Sequence, residues 1–433
     1  MTEKLDQVPI GGAQAEERQD SAGRAGAGVD TVIIGGGQAG LAASYHLTQA
    51  GREHIVLEKD RVGEAWRSQK WDSFTLVTPN WWLRLPGFAY ADDDPDGYLT
   101  RDEVIRYVDA YVRHFNPPLR LGVEVTSVEA GDNGGGFTVQ TSVGQWEAAN
   151  VIVATGTFQK PKIPLYSRHL APHLLQLHTS RYRNPQELPP GAVLVVGSGQ
   201  SGCQITEELY QSGRKVYLAT GSAPRAPRRY RGKDFIWWMA QTGFFDRTVD
   251  QLDSPAQRFA ANPQVTGKNG GHTLNLHQFA LDGVTLLGRM IGARGTKVWM
   301  ADDLMQNLSK SDGAATRLMK RIDEHIAKNG LDAPEEEVPE LRAGYDSEVL
   351  TTLDLDAAGI TSVIWAIGYT FDYRWVKVPV FDTFGYPVQK RGVTPHPGLY
   401  FLGLQWLHTV KSALFAGVGD DAAHIVARLT ARD

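Results

Sequence analysis

The run Thr31–Lys59, TVIIGGGQAGLAASYHLTQAGREHIVLEK, constrains this chain more than any other stretch. A short apolar run, Thr31 to Ile34, has strand chemistry and leads into Gly35, Gly37 and Gly40, spaced as G-x-G-x-x-G. Leu41 to Ala50 carries Leu41, Tyr45 and Leu47 near helical spacing, Gly51-Arg52 stops that helix, and His54 to Leu57 is a second strand ending at Glu58. The three glycines have different physical roles. One makes the tight turn, one lets a pyrophosphate approach the backbone, and one lets helix and strand pack closely. The helix N-terminus then offers unpaired N–H groups and a positive dipole end to the phosphate. Glu58 follows Gly35 by 23 residues, near the ~20 expected of an acid that holds a ribose 2′-hydroxyl. Glycines alone would fit an ordinary βαβ turn. Strand, glycines, helix, strand and acid in that order predict a dinucleotide-binding unit.

The signature returns at a constant offset of 162 residues. Gly35, Gly37, Gln38 and Gly40 become Gly197, Gly199, Gln200 and Gly202, and Gly51-Arg52 becomes Gly213-Arg214. The chain therefore holds two dinucleotide folds. Where the first copy has Glu58 the second has Thr220, followed by Arg225, Arg228, Arg229 and Arg231. A missing acid followed by arginines suits a 2′-phosphate, with Arg225 first in line and Ser222 as a neutral donor; a solvated basic loop is the other reading.

With 433 residues the chain has room for two or three domains. Hydrophobic residues at 42% and charged residues at 21% suit a globular protein with a large core. A net charge of −5 gives no reason to expect nucleic acid or an anionic membrane as partner. No apolar run approaches the ~18 residues of a membrane helix. The start, with Glu3, Lys4 and Asp6, is not a signal peptide, which points to the cytoplasm. The one cysteine, Cys203, excludes an internal disulfide, structural or catalytic, and reads as a packing residue.

Residues 1–28 read as a disordered leader. Arg61–Phe88 is aromatic, broken by Pro79 and Pro86, and reads as ordered loop. Thr100 and Glu103 form a capping box ahead of a helix to Phe115. Leu121–Val128, Phe137–Thr141 and Val151–Ala154 alternate like strands, and the aspartates between Ala91 and Gly97 read as a solvated loop. Residues 232–300 hold Phe235–Met239 and Phe244-Phe245 but no clear period. His272 and His277 lack a third ligand at metal spacing, so no metal is expected. One or two amphipathic helices fill 302–330, Pro334–Glu340 is an acidic linker, Thr361–Tyr369 and Leu399–Gly403 are strands, and Ala416–Leu429 is a helix. Most of the 11 tryptophans are expected to pack between domains.

Two such repeats, with VIVATG (151–156) after the first and WAIGY (365–369) after the second, resemble the two-dinucleotide-binding flavoproteins. GGGQAG (35–40), AWR with WDSFTLVTPN (65–80), GSGQSG (197–202) and LYFLG with the final helix are similar to the class B flavin monooxygenases, closest to bacterial members labelled "flavoprotein involved in potassium transport". The resemblance spans roughly 30–433. It implies an α/β fold of two Rossmann-type domains with parallel sheets: an FAD-binding domain from 29–188 and 346–433, and an NADPH-binding domain from 189–345 with an aromatic-rich insertion at about 232–300. By resemblance FAD contacts fall on Gly35, Gly37, Gln38, Ala39, Gly40, Glu58, Lys59, Trp66, Arg67, Val125, Ala154, Thr155, Gly156 and Gln405. NADPH contacts fall on Gly197, Gly199, Gln200, Ser201, Gly202, Ser222, Arg225 and Arg228, with Ile367 and Gly368 at the later turn.

The activity implied is an NADPH-dependent monooxygenase that holds a C4a-peroxyflavin and passes one oxygen atom from molecular oxygen to a small organic substrate. Asn80 is the candidate polar group near the oxygen-reactive carbon, or a turn residue after Pro79. Lys411 faces the isoalloxazine or a substrate acid, or is a surface lysine. The family fingerprint Phe-x-Gly-x-x-x-His-x-x-x-Tyr/Trp keeps His178 and Tyr182 but has Pro172 and Leu174 in place of Phe and Gly, and the Trp-Pro ending of Baeyer–Villiger enzymes is absent. N- or S-oxygenation is therefore favoured. Baeyer–Villiger or decarboxylating oxygenation, an NADPH oxidase or flavin reductase, and a redox-sensing regulator that is not an enzyme are the alternatives. A homodimer is left open.

Overall fold

A computed structural model describes residues 28–91, 93–131 and 135–431. The expected leader lies outside the described residues except for Gly28, as does Gly134 of the expected glycine turn.

The first unit is built on Gly28–Ile34, whose inner residues Val32 and Ile33 have no exposed surface. This strand pairs in parallel with His54–Glu58 on one side and with Gly144–Val153 on the other. Leu119–Leu121 extends the sheet beyond His54–Glu58. On its other side Gly144–Val153 serves two more neighbours: its first half pairs antiparallel with Phe137–Thr141, and its last three residues pair in parallel with Leu399–Phe401. Val125–Ala130 completes the antiparallel edge. The helix Gln38–Gln49 buries Leu41 and Leu47 completely, each worth roughly 1.5–3 kcal/mol of apolar burial. It packs beside the final helix, Phe415–Thr430. Arg101–Phe115 starts on the capping box the sequence predicts, and Asn116 ends it in left-handed conformation.

The second unit has a fully parallel sheet in the order Leu175–His178, Ile360–Trp365, Ala192–Val196, Val216–Ala219, Thr285–Leu287. Its central strands read as continuous apolar runs because both faces are covered; Val193, Leu194 and Val195 are fully buried. A three-stranded meander, Met290–Arg294, Lys297–Met300 and Thr352–Asp354, packs alongside. The helix over 304–329 is one element closed by Gly330 at φ +59°.

The domain limits 189 and 346 need correction. Ile360–Trp365 sits between Leu175–His178 and Ala192–Val196, so two strands of the second sheet come from segments assigned to the first unit. Without them Ala192–Val196 would leave its backbone groups on an open edge. The aromatic insertion is also smaller than 232–300, since Thr285–Leu287 belongs to the sheet. What remains is a packing layer. Asp234 caps the helix Phe235–Gln241, and Trp238 is buried with its indole N–H donated to Tyr230 O at 2.7 Å. These side chains share one core with Leu318, Ile322 and Ile326 of the long helix and with Trp82 and Ala416 of the first unit. Trp82 and Phe245 lie 4.1 Å apart across that junction. Among the described residues no helix is long and apolar enough to cross a membrane.

Candidate functional site

The two glycine turns are built alike. Gly35 has φ +111° and Gly197 φ +108°. The N–H of Gly35 bonds Leu57 O at 2.8 Å, and that of Gly197 bonds Ala219 O at 2.9 Å. A side chain on Gly40 would place its Cβ 1.9 Å from Gly35 O; on Gly202 it would lie 1.8 Å from Gly197 O. These glycines let each helix cross its own turn. Gly37 and Gly199 differ: they are the N-caps of the two helices, and a Cβ there would meet nothing within 4 Å. Each helix therefore opens onto a cradle bounded by backbone N–H groups that have no partner inside the helix. Ala39 and Gln38 lie on that first turn. Ala39 touches the strand-end segment at Gly403, and Gln38 donates to Ala413 O at 2.7 Å. Gln200 and Ser201 hold the corresponding positions in the second helix.

The turns after Val151–Val153 and Ile360–Trp365 close the other side. Ala154 N donates to Ile34 O at 2.9 Å, and Ala366 N donates to Val196 O at 2.8 Å. A Cβ on Gly35 or Gly197 would strike Ala154 O or Ala366 O. Gly156 and Gly368 then turn at φ +70° and +82°. Gln159 ties the first of these turns to Thr155 Oγ1 and Gly156 O. Ile367 packs on the second unit's core.

The strand ends separate the cradles chemically. Glu58 Oε2 accepts the N–H of Gly36 at 2.6 Å and Oε1 that of Asp60 at 2.9 Å, so the carboxylate is held at the rim of the first cradle. Lys59 beside it is exposed. In the second copy Thr220 is buried and donates to Leu287 O at 2.7 Å, while the Ser198 hydroxyl takes the N–H of Gly221 at 2.9 Å. Thr220 thus leaves the acid position of that rim without a carboxylate. Ser222 there is exposed. Arg225 donates one nitrogen to Asp312 at 2.8 Å, and its Nε is buried without a partner among the described residues. Asp312 also accepts from His277 at 2.9 Å and Tyr345 at 2.8 Å. It carries a desolvation cost from burial, yet these donors hold its carboxyl below the usual range.

Two expected contacts are placed elsewhere. Arg228, expected on the nucleotide, is 1% exposed; it pairs with Asp234 through two nitrogens at 2.8 and 3.0 Å and donates to Val77 O at 2.8 Å. Its guanidinium lies 4.4 Å from the Tyr98 ring, so it joins the two units rather than facing a cradle. Lys411 is held between Asp246 at 3.3 Å and Asp420 at 3.4 Å, which occupies its charge at the start of the final helix.

In the first unit's core, Trp66 stacks on Phe415 at 5.6 Å and 20°, at the N-terminus of the final helix. Arg67 anchors this segment through Val62 O and Asp109. Asn80 is buried; its Nδ2 donates to Asp94 O at 3.0 Å and its Oδ1 is an orphaned acceptor among the described residues. Gln405 lies in the loop before the final helix and accepts Tyr386 Oη through its carbonyl. Val125 begins the antiparallel edge strand, with three strands between it and the one that ends at Glu58. His178, the last residue of the second sheet's edge strand, and Tyr182, buried in that unit's core, have structural partners: His178 Nε2 donates to Gly368 O at 3.0 Å, and Tyr182 donates to Glu208 at 2.7 Å. His272 pairs with Glu207 at 2.6 Å. The site residue that sequence reasoning missed is Lys70, whose ammonium lies among Trp66, Phe74 and Phe158. Only its place between two aromatic segments hinted at this.

Two glycine cradles, each at the C-terminal end of parallel strands, with the chain crossing into the second unit before Leu175 and back after Trp365, define a two-domain nucleotide-binding oxidoreductase. The family model for pyridine nucleotide-disulphide oxidoreductases matches residues 32–238. A CzcO-like oxidoreductase of Geobacillus kaustophilus is 35% identical over 402 residues, 92% of this chain and 97% of that one. The chain belongs to the CzcO-like oxidoreductases. Among solved structures, a flavin-containing monooxygenase from Stenotrophomonas maltophilia aligns with TM-score 0.62 at 22% identity, covering 94% of this chain and 99% of that one. The ornithine N-hydroxylase of Kutzneria sp. 744 aligns with TM-score 0.62 at 16% identity over the same shares. These likenesses establish the fold.

Proposed function

We propose that the chain is an NADPH-dependent FAD monooxygenase that inserts one atom of molecular oxygen into a small organic substrate in the cytoplasm, with N- or S-oxygenation favoured. The observation that carries this reading is the paired construction of the cradles with opposite rims: a carboxylate at Glu58 in the first, none at Thr220 and a near-buried arginine, Arg225, in the second. The first rim suits a ribose with a free 2′-hydroxyl, as in FAD; the second suits a 2′-phosphate. The space that a Cβ at Gly37 or Gly199 would enter is clear of protein atoms, which leaves each helix N-terminus open to a pyrophosphate.

When bound, FAD supplies hydride acceptance and oxygen activation. The chain's own residues supply the rest. Gln38, bonded to Ala413 O, fixes the loop that delivers the final helix. The N-terminus of that helix, capped by no side chain, would favour negative charge on a flavin ring bound beside it. Trp66 and Phe415 form an apolar wall that excludes water. Asn80 offers an acceptor or, with its amide turned, a donor. His178 fixes the Gly368 turn against the end of the edge strand Leu175–His178. Thiol–disulfide chemistry, named for the matching family model, has no dithiol here: the sole cysteine is buried beside Ser198 O and burial pushes its thiol up.

Stopped-flow absorbance tests the reading. NADPH should reduce the flavin, and mixing with oxygen should give a transient near-ultraviolet band before oxidised flavin returns, with substrate gaining one oxygen atom by mass. Direct return of oxidised flavin would make the protein an oxidase. No reduction by NADPH would make it a regulator.

A further inference from the structure

Lys70 lies in the loop after the short helix Glu64–Ser68. Its Nζ stands 5.4 Å from the Trp66 ring centre, 5.2 Å from Phe74 and 5.4 Å from Phe158. Trp66 and Phe74 belong to the first unit's aromatic loop; Phe158 comes two residues after the Gly156 turn. The rings continue outward from this point. Trp66 stacks on Phe415, and Phe158 lies 5.1 Å from Tyr369, the residue after the Gly368 turn. Tyr369 in turn lies 4.8 Å from His178. The ammonium therefore sits where the strand-end turns of both cradles meet.

Among the described residues no carboxylate is within ion-pair distance of Lys70. The charged groups on the elements around it are engaged with others. Arg67 pairs with Asp109, and Asp72 pairs with Arg101 and Asn184. Arg183 donates to the backbone oxygens of Ser68, Lys70 and Ser180, and His178 bonds Gly368 O. Lysine is a strongly hydrated cation that ordinarily keeps its head in water or on an acid. Ring faces attract the charge but accept none of its three N–H donors in the way an oxygen does.

We propose that Lys70 and its rings recognise the anionic group of the substrate, which makes the substrate class a small organic acid with an apolar or aromatic body. A carboxylate would take charge-assisted hydrogen bonds from the ammonium, and the body would lie against Trp66, Phe74 and Phe158. A simple cationic amine would be repelled. The atom oxidised is then a sulfur or an uncharged nitrogen carried on an acid. This inference rests on the monooxygenase reading for the meaning of "substrate", but the recognition itself is measurable without turnover. Burial pushes the Lys70 amine down to about 8, so recognition of an acid should weaken as pH rises past that value.

The test is calorimetric titration of the FAD-loaded protein with matched pairs, phenylacetate against phenylacetamide and hexanoate against hexanamide, with FAD content recorded for each sample. In wild type near neutral pH at least one acid should bind about tenfold more tightly than its amide, as one charge-assisted contact implies. Its affinity should fall above pH about 8. Lys70→Met should abolish the acid preference and the pH dependence, and Lys70→Arg should keep the preference. Equal binding of acid and amide, no binding of either acid, or a preference that survives in Lys70→Met overturns the proposal. Protein that retains no FAD overturns the flavoenzyme reading instead, and the acid-to-amide ratio still decides the role of Lys70.

Discussion

Glu58 accepts the backbone N–H of Gly36 through Oε2 at 2.6 Å, across 22 residues of sequence. That bond fixes the second strand's end against the first glycine turn and leaves the carboxylate part-exposed at the cradle. Glu58→Ala should weaken FAD binding by roughly 10- to 100-fold, the value of a hydrogen bond to a charged group. Fluorescence titration of the apoprotein measures it. Affinity for NADPH should stay unchanged, because the second cradle has its own link from Gly221 N to Ser198 Oγ.

The four helix-turn glycines divide into two kinds, and substitutions should separate them. Gly40→Ala and Gly202→Ala drive a Cβ into a carbonyl oxygen at 1.9 and 1.8 Å. Each should cost at least about 1–3 kcal/mol of stability from overpacking, visible as a lower Tm without any nucleotide present. Gly37→Ala and Gly199→Ala add a Cβ that meets no protein atom, at φ −87° and −72°, which alanine tolerates. These two should keep the wild-type Tm. Gly37→Ala should lose FAD, and Gly199→Ala should lose NADPH.

Arg225 and Arg228 look equivalent in sequence and should behave differently. Arg225→Ala should raise KM for NADPH about tenfold, at the low end of the range for a charged hydrogen bond because Asp312 already shares its charge. KM for NADH should barely change. Arg228→Ala leaves Asp234 without its partner in a nearly closed site. Breaking such a pair costs about 3–5 kcal/mol, so this variant should show a large drop in Tm and no change in the NADPH-to-NADH ratio.

Those contrasts mark what the sequence reveals. Local chemistry is legible: the glycine turns, the Thr100–Glu103 box and the Gly330 stop depend on residues a few positions apart, and all three appear in the structure. Long-range pairing is not. TSVIW at 361–365 has the same apolar run whichever sheet receives it, so its insertion beside Ala192–Val196 has no local signature. Arg228 illustrates the same limit for the site. An arginine after a missing acid suits a phosphate, and only the arrival of Asp234, Tyr98 and Val77 O makes it a buried joint. Phe235–Gln241 lacks a readable period because it is covered from several sides, by the long helix, Trp82 and Ala416.

His178 ties the end of the edge strand Leu175–His178 to the Gly368 turn through a buried ring. Its Nδ1 accepts the N–H of Ser180 at 3.2 Å, and its Nε2 donates to Gly368 O at 3.0 Å. A second proton would go on Nδ1, displacing the bond from the N–H of Ser180 and leaving only the Ser180 hydroxyl, 3.0 Å away, to accept it. Burial accordingly pushes its pKa below the ordinary 6.5. The unfolded chain takes up that proton as pH falls below 6.5 while the folded protein resists it. The stability that His178 contributes is therefore complete above that pH and is lost as pH falls from there through the folded-state value. His54, also buried and lowered, adds a loss of the same sign. Thermal unfolding followed across mildly acid to neutral buffers should show Tm falling on the acid side. In His178→Gln, Tm should be lower near neutrality and its acid slope shallower, with the residual slope carried by His54, His46 and His424, whose rings burial also pushes down. An unchanged slope in His178→Gln would assign the acid sensitivity to other groups and reduce His178 to a packing residue of the edge strand.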